Sequence, residues 1–215
     1  MSDDTINGGS GNDTIFAGIG DDLVSGGVGN DVIFDGSGND TIFGDGDDDI
    51  FWLASGSNDG ADSLNGGTGN DTLIEDLSSE TAQSISIFVN LGQGTHYIAE
   101  TPGIGVDTLS GIENYTLIGD FNVTAVGDAL ANIIASDEGD DSLSGLAGND
   151  YLSGGAGNDT LIGGSGADTL VAGEGDDIVF VDNIGDVVDG GDGLDRVIYD
   201  VGSALKVDLA GWSGV

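Results

Sequence analysis

The residues best placed to do chemistry are aspartates at a fixed spacing. Asp4, Asp13, Asp22, Asp31 and Asp40 lie nine residues apart, and each is followed two residues later by an apolar side chain: Ile6, Ile15, Val24, Ile33 and Ile42. The pattern returns at Asp62 with Leu64 and at Asp71 with Leu73. A second run carries Asp141, Asp150, Asp159, Asp168, Asp177, Asp186 and Asp195, with Asn132 in place of its first acid. Glycines precede these acids at constant offsets. They are Gly9, Gly11, Gly27, Gly29, Gly36, Gly38, Gly67 and Gly69 in the first run, and Gly148, Gly155, Gly157, Gly164, Gly166, Gly173 and Gly175 in the second. The chemistry available is coordination. Carboxylates and the carbonyls of tight turns are hard oxygen ligands. Without a cysteine, thiolate sites are excluded. Magnesium demands a strict octahedron and keeps its waters, so a cramped, carbonyl-rich turn suits calcium better.

The elements that must position these acids follow from the unit. Gly154 to Ile162 reads G-G-x-G-x-D-x-U-x, with U apolar, and it recurs at Gly163–Val171, Gly8–Phe16, Gly26–Phe34 and Gly66–Ile74. Only x-U-x has strand character, and three residues bury one side chain. Such a strand is stable only when copies stack, so that the U residues form an interior ladder and each strand pairs with those above and below. The other six residues must turn sharply, which glycine permits. The expected class is therefore all-β, a parallel solenoid. Generic glycine-rich linkers or Asp-Gly hairpins would not set an apolar residue two after the acid in every unit.

This unit resembles the hemolysin-type RTX calcium-binding nonapeptide repeat. The resemblance implies a right-handed parallel β-roll in which two units make one coil and calcium sits between the turns of units i and i+2. On that pattern Asp13 pairs with Asp31, Asp22 with Asp40, Asp141 with Asp159, Asp150 with Asp168, Asp159 with Asp177 and Asp168 with Asp186. Metal-free carboxylates about 4–5 Å apart would repel by roughly 1–4 kcal/mol per pair. Calcium reverses that sign and couples binding to folding. The resemblance also implies several calcium ions per chain and export as an unfolded chain by a type I pathway.

The organisation expected is a first repeat block over 1–74, a β-rich spacer over 75–126, a second block over 127–198, and the start of another spacer over 199–215. Within the first block, Gly44 to Ile50 reads as a unit one residue short, which puts Asp48 and Ile50 on the acid and apolar places, and Trp52–Gly56 reads as a small insertion. In the spacer, Ser84–Leu91 alternates like a strand, Pro102-Gly103 marks a turn, and Asp107–Asn114 resembles the D-T-L-x-G-I-E-N segment found between RTX blocks. Ile85, Ile87, Val89, Leu91, Leu109, Ile112 and Leu117 could continue the interior ladder. The unit around Asp186 lacks its glycines, which weakens the case for a metal there.

The charge sets the class of partner. Forty acids against two basic residues give a formal −38, which disfavours nucleic acid and anionic membranes. No apolar run is long enough for a transmembrane segment. Asp45, Asp47 and Asp49 imitate the start of an EF-hand, but Ile50 stands at its required glycine. His96, in the spacer, lacks catalytic partners in sequence and reads as a surface or spacer residue, and Arg196 and Lys206 read as local charge partners. Phe16, Phe34, Phe43, Phe51 and Trp52 flank the apolar places as strand packing or a docking stripe. The expectation is a non-enzymatic calcium-binding module, extracellular or at a bacterial cell surface, and a piece of a longer protein whose other domains it contacts. The alternatives are a calcium-dependent adhesin or surface-layer segment meeting glycans or cell surfaces, and the accessory module of a secreted protease, lipase or polysaccharide-modifying enzyme.

Overall fold

The computed structural model describes residues 2–53, 60–78, 86–99 and 105–199. Ile85, the Pro102-Gly103 turn, Lys206, residues 54–56 of the insertion and residues 200–215 lie outside them. The described residues form strands and turns and contain no helix. In chain order the first block supplies β1 (Thr5–Ser10), β2 (Thr14–Phe16), β3 (Leu23–Val28), β4 (Val32–Phe34), β5 (Thr41–Gly46), β6 (Ile50–Leu53), β7 (Ser63–Thr68) and β8 (Thr72–Asp76). There follow β9 (Ser86–Asn90), β10 (Thr95–Ala99), β11 (Val106–Ser110), β12 (Asn114–Ile118) and β13 (Asn122–Val126). The second block supplies β14 (Ile133–Ala135), β15 (Ser142–Ala147), β16 (Tyr151–Ala156), β17 (Thr160–Ser165), β18 (Thr169–Glu174), β19 (Ile178–Val181), β20 (Val187–Asp192) and β21 (Arg196–Tyr199).

Within the blocks, alternate strands join alternate walls. One sheet runs β1-β3-β5-β7-β11-β10-β9-β13-β15-β17-β19-β21, and the facing sheet runs β2-β4-β6-β8-β12-β14-β16-β18-β20. Within each block all pairs are parallel, and like places pair with like: Val24 with Ile42, Ile33 with Phe51, Leu143 with Leu161, Leu152 with Leu170. This is the β-solenoid that the nine-residue period requires. The apolar places meet between the walls. Val24, Ile33, Leu73, Ile134, Leu143, Leu152, Leu161 and Leu170 are fully buried, so the apolar place of each short strand builds the central ladder of the core.

Two expectations about the chain path are corrected. The Gly44 unit is complete. Asp49, not Asp48, is the buried acid nine after Asp40, and Phe51, not Ile50, pairs with Ile33 and Leu73 in the core. Asp45 and Asp47 occupy the glycine places with φ of 77° and 73°, a left-handed backbone that Asp tolerates better than most residues. The extra residues therefore all lie between Leu53 and Asp62. Asp48 is exposed and accepts the Asn70 amide.

The spacer does continue the stack, but out of sequence order. β11 pairs parallel with β7, β9 pairs parallel with β13, and β10 runs antiparallel between them. Ile87, Val89, Leu91, Leu109, Ile112 and Leu117 are buried. In the opposite wall β12 alone bridges β8 and β14. Within the spacer the first wall carries two strands, β10 and β9, with no counterpart in the second, two strand spacings or ~10 Å at about 4.8 Å per strand. The second block's ladder also starts nine residues ahead of Ile134, at Ala125, which pairs with Leu143.

Candidate metal centre

Each acid of the repeat sits at the entrance to its strand, just past the turn. The strand ladder places like units one above another, and this sets the acids in two columns. One runs Asp22, Asp40, Asp62 and the other Asp13, Asp31, Asp49, Asp71. In each step the backbone N–H of one Asp donates to Oδ1 of the Asp one coil on: Asp13 to Asp31 at 2.8 Å, Asp22 to Asp40 at 2.7 Å, Asp31 to Asp49 at 2.8 Å, Asp40 to Asp62 at 2.7 Å and Asp49 to Asp71 at 2.8 Å. The second block repeats this with Asp141 to Asp159 at 2.8 Å, Asp150 to Asp168 at 2.8 Å, Asp159 to Asp177 at 2.7 Å and Asp168 to Asp186 at 3.1 Å. The structure thus brings together every acid pair named from the sequence and adds Asp49, which the misread register hid.

The second oxygen is left over. Oδ2 of Asp13, Asp22, Asp31, Asp49, Asp62, Asp71, Asp141, Asp150, Asp159, Asp168 and Asp177 is buried and accepts no hydrogen bond. A buried carboxylate oxygen without a donor is costly, and a row of them along one molecule points to a ligand. The first glycine of the unit shows where. A β-carbon added at Gly26 would lie at or under 3.0 Å from both Asp31 Oδ2 and the Gly44 carbonyl, and one at Gly154 would meet Asp159 Oδ2 and the Ala172 carbonyl in the same way. Gly8, Gly44, Gly66 and Gly145 repeat the arrangement. Carboxylate and carbonyl oxygens converge on a cradle that a side chain would fill. The donor set is all oxygen, mixed carboxylate and carbonyl, which fits calcium.

These first-place glycines are what sequence reasoning missed as site residues. The signal was present, since they open the same units. The glycines that were nominated, among them Gly27, Gly29, Gly155 and Gly157, all have positive φ and shape the turn. A β-carbon at Gly27 would strike the Gly9 carbonyl of the coil before.

Burial pushes Asp62 and Asp141 up to about 7 and Asp49, Asp71, Asp159 and Asp168 up to about 6. The hydrogen bonds they accept oppose the shift, and neighbouring acids add to it. Asp40, Asp150 and Asp177 are raised for the same first reason. A cation in the cradle removes that penalty.

With the geometry in place, a family comparison decides the class. The model of the RTX calcium-binding nonapeptide repeat, four copies long, matches residues 2–33, 25–59, 56–74, 126–161 and 153–183, more than half of the chain. The chain belongs to the RTX calcium-binding repeat family. It is a calcium-binding β-roll. A search of curated proteins finds no match. No helix among the described residues is long and apolar enough to cross a membrane.

The RTX matches leave out residues 75–125, and there the columns change character. Asp107 takes the place after Asp62, whose amide it accepts at 2.8 Å, and Glu113 takes the place after Asp71 at 2.9 Å. The second oxygen of Asp107 is not left over: His96 Nδ1 lies 2.6 Å from it, and His96 Nε2 lies 3.0 Å from Glu75 Oε2, which also accepts Tyr115 Oη at 2.8 Å. His96 is 1% exposed, so of the expected surface or spacer role the surface half is corrected. It reaches the core because antiparallel β10 sets it directly opposite Asp107. Burial alone would lower its pKa, but the Glu75 charge, the hydrogen bonds to Asp107 and Glu75 and the Asp107 charge raise it to about 10. Both ring nitrogens face carboxylates, so both carry a proton. The second block then begins uncharged: Val123 donates its amide to Asp141, and Asn132 stands before Asp150.

Proposed function

We propose that this RTX roll is a calcium-triggered scaffold, unfolded where calcium is scarce and folded where it is plentiful. The observation that supports it most is the row of buried Oδ2 atoms, of which those of Asp13, Asp31, Asp49, Asp71, Asp150, Asp159 and Asp168 each lie beside the first glycine of their unit. The ligand set we propose is Asp13, Asp22, Asp31, Asp40, Asp49, Asp62 and Asp71 in the first block and Asp141, Asp150, Asp159, Asp168 and Asp177 in the second, with carbonyls such as those of Gly26, Gly44, Gly163 and Ala172. When bound, calcium supplies the positive charge these oxygens lack. The chain's own part is to hold Oδ1 on a backbone amide so that Oδ2 faces the cradle.

The functional consequence is directional. Extracellular calcium modules work at about 10⁻⁴–10⁻³ M, far above cytosolic supply. The chain would then leave a cell unfolded, fold outside, and hold neighbouring domains of a secreted protein in place. Circular dichroism of the whole chain in chelator and then in millimolar calcium tests this. The expected result is a gain of β-structure on adding calcium. A chain equally folded in both would overturn it.

A further inference from the structure

The unit ending at Asp186 has no glycine at any of the repeat's three glycine places. Its turn is Val181-Asp182-Asn183-Ile184-Gly185-Asp186, so an acid stands at the second glycine place and Ile184 at the fourth. Asp186 still keeps its column, with Oδ1 accepting the Asp168 amide and Oδ2 accepting the Asn183 amide, each at 3.1 Å. The irregular turn brings Asp182 in beside them. One carboxylate oxygen from each of Asp168, Asp182 and Asp186 lies within 4.8 Å of the other two.

A cluster of acids alone would say little, but Asp168 adds an independent sign. It is 1% exposed, and its Oδ2 accepts no hydrogen bond. The cradle at its first glycine also differs. At Gly145 and Gly154 the three atoms nearest an added β-carbon include a carbonyl of the coil beyond, whereas at Gly163 all three belong to Asp168. We infer that Asp182 completes the Asp168–Asp186 position as a site for a hard divalent cation, its carboxylate taking the part that a turn carbonyl plays elsewhere in the roll. The site rests on the reading that the roll binds calcium through its acid columns, and extends it to a unit that lacks the repeat's glycines. Three carboxylates around one ion favour the charged cation more than a cradle rich in carbonyls does.

Hydrogen exchange of the full chain across a calcium titration tests it, with Asp182→Asn against the wild type and Asp192→Asn, an exposed acid nearby, as the control. Asp182 is exposed, so the variant keeps the fold of the rest of the roll, which protection over 142–161 reports. The expected result is that Asp182→Asn raises the calcium needed to protect residues 183–188 by about tenfold, the scale on which ligand charge tunes such sites, and leaves 142–161 and the control unchanged. Superimposable curves for the variant and the wild type would overturn the site, and so would an equal shift in Asp192→Asn. If no segment of the chain responds to calcium, the proposed function fails together with the site.

Discussion

Asp159 and Asp107 hold the same place in their coils, and they solve the same problem in opposite ways. Each gives Oδ1 to a backbone amide one coil before, Asp141 in one case and Asp62 in the other. Oδ2 of Asp159 is buried with no donor, whereas that of Asp107 meets His96. The repeat blocks leave a negative oxygen for an ion from solution, and the spacer supplies a cation from the chain. On the proposed reading a coil of the first kind is conditional on calcium, whereas one of the second kind carries its own cation. The spacer would then be a layer that holds without metal between two blocks that need it.

The comparison breaks most visibly if its internal cation is removed. His96→Leu leaves Glu75 and Asp107 facing an apolar side chain in the core, both 1% exposed. Losing one partner of a buried ionic network costs about 3–5 kcal/mol. The expected outcome in urea unfolding at saturating calcium is a loss of that size, with the calcium dependence of stability unchanged. A variant that instead needed more calcium, at unchanged limiting stability, would show that His96 belongs to the metal system.

A smaller effect is expected from the other side. Asp159→Asn keeps an oxygen for the Asp141 amide and removes the charge. Asp159 stands between Asp141 and Asp177 in its column, so two neighbouring sites weaken, each by about tenfold, near 1.4 kcal/mol. In calcium-free buffer the sign reverses, because a buried like charge is gone. Unfolding measured under both conditions checks this. Equal destabilisation with and without calcium would mean that the Asp159 carboxylate acts only in packing.

What the sequence made legible follows the same division. Inside the blocks, one short unit contains its turn, its acid and its core residue, so period and register give the walls, the ladder and the acid columns directly. The misreading of Asp48 arose because Asp45 and Asp47 fill glycine places, and a run of acids hides which one is buried. The spacer was legible as strand but not as topology. The partners of His96 lie 11 residues on at Asp107 and 21 back at Glu75, and only the antiparallel β10 makes them neighbours. No local pattern signals a long-range pairing of that kind. Asp182 beside Asp186 was obscured in the same way, since a turn without glycine at the repeat's places does not look like a repeat.

The smallest effect expected is also the one that separates the two regions in a single titration. In the metal-free fold, burial first and neighbouring acids next raise Asp49, Asp71, Asp159 and Asp168 to about 6 and Asp62 and Asp141 to about 7, against an ordinary 3.8. The folded blocks therefore hold protons that the unfolded chain has already released, and their stability falls as pH rises from about 4 through 7. His96 titrates elsewhere. Its pKa rises from 6.5 to about 10 through Glu75 and Asp107, which outweigh burial. Its contribution is complete below 6.5 and is lost as pH rises through about 10. In calcium-free buffer the chain should accordingly hold more β-structure at pH 5 than at pH 8, protons standing in weakly for calcium. At pH 8 millimolar calcium should restore the structure and release protons as it binds. With calcium saturating, the acid-side dependence should shrink and leave a loss from about pH 6.5 to about 10 that His96→Leu abolishes. Circular dichroism across pH, with and without calcium, reads all of this. Structure that grows between pH 5 and 8 without calcium would contradict the buried-carboxylate account. An alkaline loss that persists in His96→Leu would take the spacer's metal-free layer away from His96.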